Sequence, residues 1–200
     1  MFAAATGVRA GELHALRWRH VDFERCELNI ESRVDPYGVE DVPKTVAGLR
    51  TIPLGEGMLV LLREGRGKTR FPGKDDLIFP NREGTYKNHE NLVKRYFQPL
   101  FVRLAKLWQE QRRNEPFETF NWHALRHFAI SCWIEAGLPP KAVQTFAGHS
   151  SLQVTTDRYG HLFRSDSHAA AMDAIAADIA GPTPPIGTRP LGRKGSDFIP

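Results

Sequence analysis

Glycine and proline divide the second half of the chain into short helices, and this constrains the fold more than any other feature of the sequence. Apolar residues recur at helical spacing over roughly 122–136, 139–147 and 151–159. Gly137-Leu138-Pro139 separates the first two patterns. Gly148 ends the second, because glycine readily adopts the left-handed conformation that closes a helix. We therefore predict three short helices, roughly 122–136, 139–147 and 151–159.

The first half of the chain predicts a helix followed by a small sheet. Thr6 to Leu13 has the pattern of a turn that feeds a helix, with Leu13 and Leu16 on its apolar side. Alternating apolar residues and turn residues over 21–54 predict a small antiparallel sheet. The fold class predicted from these elements is α+β, mainly α, with a small antiparallel β-sheet near the N-terminus.

Between the sheet and the three helices we predict a short helix, a loop, a brief strand and one longer helix. The short helix covers 57–64, the loop 65–76 and the strand Leu77-Ile78-Phe79. The longer helix runs from Asn88 to about Trp108, and Pro99 is expected to kink or divide it because proline lacks a backbone N–H.

Composition narrows the class of protein. With 41% hydrophobic and 25% charged residues, the chain resembles an ordinary globular protein rather than a fibrous or wholly disordered one. The formal net charge of +4 is compatible with a polyanionic partner. Cys26 and Cys132 are too few for a disulfide framework or a zinc site, and every apolar run is far shorter than the ~20 residues of a membrane span. We therefore expect a cytoplasmic protein without a membrane segment.

A cluster of histidine and arginine opens the first of the three predicted helices. His123, Arg126 and His127 are three or four residues apart, so their side chains share one helix face. One hypothesis is a metal pair of His123 and His127, although the glutamate of an H-E-x-x-H motif is absent. The other is an anion site, since free backbone N–H groups at a helix start and a guanidinium both favour phosphate oxygens. For His127 alone, a hydrogen-bonded core histidine is a third interpretation.

Three other segments carry residues of interest that are ordinary when taken singly. Tyr159 follows the Gly148-His149-Ser150-Ser151 turn by about two helical turns, where a tyrosine is usually a packing residue. Arg9 and Glu12 have the i, i+3 spacing of a helix-surface ion pair. Lys44 lies between a proline and a threonine, as an exposed turn lysine would.

In their order along the chain these segments resemble the tyrosine recombinase, or phage integrase, family. The motifs are Thr-Gly-x-Arg-x-x-Glu-Leu, a Lys-Thr hairpin followed by Arg-Thr-Ile-Pro-Leu, His-x-Leu-Arg-His, and Gly-His-Ser-Ser with a later tyrosine. The resemblance covers about residues 6–163. It implies a catalytic domain of that family with six active-site residues: Arg9, Lys44, His123, Arg126, His149 and the nucleophile Tyr159.

The resemblance also implies a reaction that needs no cofactor and no metal. Tyr159 would attack a DNA phosphate to give a 3′-phosphotyrosyl intermediate, with His123 as proton acceptor. Arg9 and Arg126 would hold the phosphate oxygens, His149 would donate a hydrogen bond to them, and Lys44 would protonate the leaving 5′ oxygen. Glu12 is expected to brace the first helix. Lys68, in another basic segment, is the alternative to Lys44.

The resemblance further implies partners and a domain organisation. We expect residues 1–165 to form an N-terminally truncated catalytic domain without the DNA-clamping domain of the family, 166–180 a C-terminal docking helix, and 181–200 a disordered tail. The expected partners are double-stranded DNA, other copies of the chain in a homotetramer on DNA, and accessory DNA-bending proteins. In a bacterium the protein is expected to associate with the nucleoid. Site-specific recombination or integration is the function implied; the alternatives are a non-catalytic DNA-binding remnant and a type IB topoisomerase-like nicking activity.

Overall fold

The computed structural model describes residues 1–111, 115–163, 172 and 174–176. The chain divides into two units, Met1–Phe163 and Arg164–Pro200. In the second unit residues 172 and 174–176 are helical; the remainder of the predicted docking helix 166–180 and the tail 181–200 lie outside the described residues. Among the described residues, none of the helices combines the length and apolar character that a membrane crossing requires.

The first unit is mainly helical with small antiparallel sheets, as predicted. Its helices are α1 (Phe2–Thr6), α2 (Ala10–Ala15), α3 (Glu56–Lys68), α4 (His89–Leu92), α5 (Gln98–Gln111), α6 (Ala124–Glu135), α7 (Pro140–Ala147) and α8 (Leu152–Tyr159). Its strands are β1 (Val21–Asp22), β2 (Glu27–Ile30), β3 (Arg33–Val34), β4 (Glu40–Asp41) and β5 (Arg50–Pro53).

The predicted sheet over 21–54 is in fact two sheets. Strands β1, β2 and β5 form one antiparallel sheet in that order, in which Leu28 pairs with Ile52, while β3 and β4 form a separate hairpin. The hairpin lies against α2: a Cβ added to Gly11 would come within 2.5 Å of the Val34 carbonyl oxygen. Because Gly11 permits this close approach, the hairpin packs on a helix rather than extending the sheet.

Two other predicted elements differ from the structure. Helix α3 continues to Lys68 and so includes the first four residues of the segment predicted as a loop. Arg66 holds its last turn, because it donates to the Pro72 carbonyl (2.9 Å) and lies over the Trp18 ring. The predicted strand at Leu77 is a single bridge to Arg17.

Pro99 does not interrupt the helix, but the turn before it is wider than an α-helical turn. A π-helical turn, Val93–Phe97, joins α4 to α5 just before the proline. The missing N–H and the proline ring disturb the normal hydrogen bond to the carbonyl four residues earlier, and a wider turn absorbs that disturbance.

Two apolar clusters support the site. The larger joins the three-stranded sheet to α2 and α3 through Leu16, Leu28, Ile52 and Leu59. The smaller joins the three C-terminal helices, and its members are Ile130, Ile134, Val143, Ala147 and Tyr159. The candidate catalytic tyrosine is therefore a packing residue of the second cluster.

Candidate active site

Arg126 is buried between the beginning of the chain and the end of α7. It is only 4% exposed, and its guanidinium donates to the Gly7 carbonyl (2.6 Å) and to the Ala147 carbonyl. Burial, together with the charge of Arg9, lowers the pKa of Arg126 to about 10, so the guanidinium stays charged at neutral pH. Two fixed carbonyl acceptors thus orient a buried cation.

Arg9 reaches the same place from the other side. It directly precedes α2, and its guanidinium donates to the Gly148 carbonyl (3.0 Å) and to Glu12 Oε1 (2.8 Å). Its side chain is 41% exposed, unlike that of Arg126. The two guanidinium groups therefore contact the adjacent carbonyls of Ala147 and Gly148, one from a buried and one from an open position.

Glycines end the two helices whose last carbonyls the arginines contact. Gly7 and Gly148 close α1 and α7 in the left-handed conformation, with φ of +60° and +64°. An added Cβ would lie 2.8 Å from the Trp133 ring at Gly7 and 2.9 Å from the Ala47 carbonyl oxygen at Gly148. The glycines of the Thr-Gly-x-Arg and Gly-His motifs therefore allow the turns that present carbonyls to the arginines.

Glu12 forms a buried bridge between Arg9 and a second arginine, Arg50. The Arg50 guanidinium donates to both Glu12 oxygens, at 2.9 and 2.8 Å, and also to the carbonyls of Gly48 and Phe146. Burial alone would raise the pKa of Glu12, but the hydrogen bonds and charge of Arg50, with help from Arg9, lower it to about 2. Glu12 is thus a charged structural brace, as expected.

Arg50 was missed as a site residue, although the sequence carries a signal for it. It alternates with Ile52 on one face of β5 and with Leu54 directly after the strand, and all three are buried. An arginine on the inward face of a strand requires an acidic or carbonyl partner. Arg50 finds partners in three segments: α2, the turn after Lys44, and the end of α7.

Tyr159 lies at the end of α8 with its hydroxyl on His127. The residue is 4% exposed, and its Oη is hydrogen-bonded to His127 Nδ1. Burial raises the pKa of Tyr159, although the charges of Arg126 and Arg158 oppose that rise. The hydroxyl is therefore protonated at neutral pH and requires a proton acceptor before it can act as a nucleophile.

The other two histidines approach the tyrosine differently. The His149 ring stacks parallel to the Tyr159 ring, at 6.4 Å between centroids, and its Nδ1 pairs with Thr155 Oγ1 at 2.9 Å. His123 is exposed and packs edge-on against His127, at 4.8 Å between centroids. Burial and neighbouring positive charges lower the pKa of all three histidines, that of His149 to about 4.

Lys44 lies on the wall of a large open cavity. This cavity, of about 690 Å³, lies between α2, the β3–β4 hairpin and the start of α4, and its basic wall residues are Arg9, Arg33, Lys44 and Lys87. Arg9 is thus shared between the cavity and the tyrosine cluster. Lys68 lies at the end of α3, paired with Glu64 at 3.4 Å, and is not among the cavity-lining residues.

The structure therefore brings five of the six predicted residues into one cluster and leaves the sixth beside it. Arg9, His123, Arg126, His149 and Tyr159 are linked by shared contacts and by mutual effects on their pKa values. For the metal hypothesis, no group of three histidine, cysteine or acidic residues suited to a metal ion occurs in the described part of the chain.

The chain is similar to several known proteins. The model of the phage integrase family matches residues 1–165. A tyrosine recombinase XerC-like protein of Caldanaerobacter subterraneus is 28% identical in an alignment 185 residues long, and the match covers 81% of this chain and 44% of the relative. The chain spans less than half the length of this relative, and the same is true of the IntR prophage integrase of Escherichia coli and the ICEBs1 integrase of Bacillus subtilis.

Solved structures share the fold. The Tn1549 transposon integrase in complex with circular intermediate DNA is 25% identical, with a TM-score of 0.65 over 87% of this chain and 57% of that one. The catalytic domain of bacteriophage HP1 integrase is 18% identical, with a TM-score of 0.51 over 90% of this chain and 82% of that one.

Proposed function

Since this chain belongs to the phage integrase family, we propose that it is a tyrosine recombinase catalytic domain that cuts and rejoins DNA through a 3′-phosphotyrosyl intermediate. The observation that carries the proposal is a protonated, buried tyrosine hydroxyl at the edge of a cluster of two arginines and three histidines. Such a cluster suits an anionic phosphate that is attacked by a phenol.

The arginines stabilise the charge that develops on the phosphate. Each guanidinium has five N–H donors, and the carbonyl contacts of Arg126 use two of them while fixing its plane. A guanidinium held in this way needs little reorganisation when the pentacovalent phosphate forms. Arg9, which is more exposed, supplies the second guanidinium from the side of the cavity.

The proposed reaction includes two proton transfers and one hydrogen bond from a histidine to the phosphate. Tyr159 loses its proton to a histidine as Oη bonds to phosphorus. His149 is neutral at pH 7; if Thr155 donates to its Nδ1, the opposite nitrogen carries the hydrogen that a phosphate oxygen accepts. Lys44, exposed beside the cavity, donates a proton to the leaving 5′ oxygen.

We propose double-stranded DNA as the substrate, with its backbone along the basic wall of the cavity. The solved structure of the Tn1549 integrase contains circular intermediate DNA, which supports this proposal by similarity. Assembly as a homotetramer on DNA, docking of helix 166–180 onto a neighbouring protomer, association with the nucleoid and help from DNA-bending proteins belong to the same proposal.

Covalent trapping tests the function. The protein and its Tyr159→Phe variant are incubated with nicked, labelled duplexes made from the DNA that flanks the gene, and the products are separated on a denaturing gel. A shifted band with the wild type but not with the variant supports the proposal, provided that both bind the duplex equally in a gel-shift assay.

Other outcomes select the alternatives. DNA binding without a shifted band points to a non-catalytic DNA-binding protein. A shifted band together with relaxation of supercoiled plasmid, but without exchange between two duplexes, points to a topoisomerase-like activity.

A further inference from the structure

His127 is the histidine whose ring nitrogen meets the hydroxyl of Tyr159. The resemblance to the family assigns the role of proton acceptor to His123, one helical turn earlier on the same face of α6. The two rings contact each other, but the ring nitrogen that is hydrogen-bonded to Oη is His127 Nδ1. The histidine that the resemblance assigns as proton acceptor is therefore not the one that contacts the tyrosine hydroxyl.

The rings of His149 and His123 are placed differently from that of His127. His149 Nδ1 pairs with Thr155, and its ring lies parallel to the tyrosine ring, with the ring planes 11° apart. His123 stands at the N-terminal end of α6, exposed, where an incoming phosphate would meet it. Neither ring contacts the tyrosine hydroxyl within the described residues.

We propose that His127, rather than His123, is the catalytic proton acceptor for Tyr159, an inference that rests on the proposed function. In the forward step the Oη–H bond breaks and its proton moves to His127 Nδ1. An oxygen lone pair of Oη forms the bond to phosphorus, the bond from phosphorus to the 5′ oxygen breaks, and that oxygen takes a proton from Lys44. In the rejoining step the imidazolium of His127 returns its proton to Oη as the phosphotyrosyl bond breaks.

The surroundings of His127 keep it able to accept a proton. The charged and titratable groups that face it are His123 and Arg126 from its own helix and Arg158 and Tyr159 from α8. Burial and the charges of Arg158 and Arg126 lower its pKa, so its neutral form prevails at neutral pH. The same arginines favour the phenolate, because their charges oppose the burial that raises the pKa of Tyr159.

Two substitutions distinguish proton acceptance from mere positioning. His127→Asn places an amide oxygen near the former Nδ1, so it can still hold the hydroxyl but accepts no proton. His127→Phe removes both abilities. His161→Asn is the matched control, because His161 is exposed on the turn Gly160–Leu162 that follows α8. Circular dichroism and thermal unfolding verify that each variant folds.

The rate of covalent adduct formation is measured against pH with the nicked duplexes described above. We expect both His127 variants to be slower by about 10²–10⁴-fold and His161→Asn to match the wild type. The wild-type rate should rise with pH through an apparent pKa below 6.5, the ordinary value for histidine, and this rise should be absent from His127→Asn.

A modified duplex separates the nucleophile from the leaving group. Once the cleavage position is mapped, a sulfur atom replaces the bridging 5′ oxygen, so that the leaving thiolate needs no proton. This duplex should restore cleavage by Lys44→Ala but not by His127→Asn.

The outcomes are distinct for the two proposals. If the wild type forms no adduct with any flanking duplex, the proposed function fails and the role of His127 fails with it. If the wild type forms the adduct and His127→Asn forms it at the same rate, or is restored by the thiolate duplex, the function stands and His127 is not the proton acceptor. Loss of the adduct in His123→Asn with normal rates in His127→Asn would return the role to His123.

Discussion

Replacing Glu12 with glutamine tests whether the buried bridge to Arg50 holds the site together. Glu12 and Arg50 expose only 3% and 1% of their side chains, and both carboxylate oxygens accept from the guanidinium. Glutamine has nearly the same shape but lacks the charge and has one acceptor oxygen instead of two, so Arg50 becomes a buried cation whose remaining acceptors are neutral carbonyl and amide oxygens. Arg9 loses its charged partner at the same time.

Two independent arguments give the magnitude. Breaking a buried ion pair from one side destabilises a protein by about 3–5 kcal/mol. The pKa of Glu12 falls from 4.5 to about 2, and at 1.36 kcal/mol per pH unit this corresponds to about 3 kcal/mol. Because the folded-state pKa is the lower one, this stability is fully present above about pH 4.5 and is lost as the pH falls toward 2.

The assay is urea unfolding followed by tryptophan fluorescence, for wild type and Glu12→Gln, near neutral pH and again near pH 3. We expect the variant to be less stable by about 3–5 kcal/mol at neutral pH and the difference to shrink at the lower pH. Glu90→Gln is the matched control, since it removes an exposed ion pair with Lys94. A neutral-pH difference below about 1 kcal/mol, as for a surface pair, would refute the argument. So would a difference that is the same at both pH values.

Three further predictions concern the arginines, the glycine turns and the affinity for DNA. Arg126→Lys keeps a positive charge but loses the fork that reaches the carbonyls of Gly7 and Ala147, so adduct formation in the trapping assay should slow by about 10²–10³-fold; a normal rate would contradict the proposed role. Gly148→Ala should lower the free energy of unfolding by about 1–2 kcal/mol or more, measured by thermal unfolding. The loss should exceed that of Gly137→Ala, because both glycines have positive φ but, of the two, only Gly148 lacks space for a Cβ. Binding to duplex DNA should weaken steeply with salt, and Lys87→Gln should reduce the slope of log K against log [salt] by about one; an unchanged slope would mean that Lys87, on the cavity wall, touches no phosphate.

The sequence predicted the helices of the second half well because local signals define them. Gly148 ends α7, and the Ser151 side chain accepts from Val154 N–H at the start of α8, as the sequence pattern requires. The boundaries that were wrong depend on distant contacts instead. Arg66 extends α3 by contacts with Pro72 and Trp18, which no pattern within the helix reveals.

The sequence by itself determined the family resemblance and the mainly helical class, and it supplied the six residues that we propose carry the chemistry. These follow from residue types at fixed spacings, which are local properties of the chain. Tertiary structure alone decided which groups meet: Arg50 with Glu12, 38 positions apart, and His127 with Tyr159, 32 positions apart. Hydrogen bonds act over about 3 Å, so their partners are chosen by the packing of α6 against α8 and of β5 against α2 rather than by spacing along the chain.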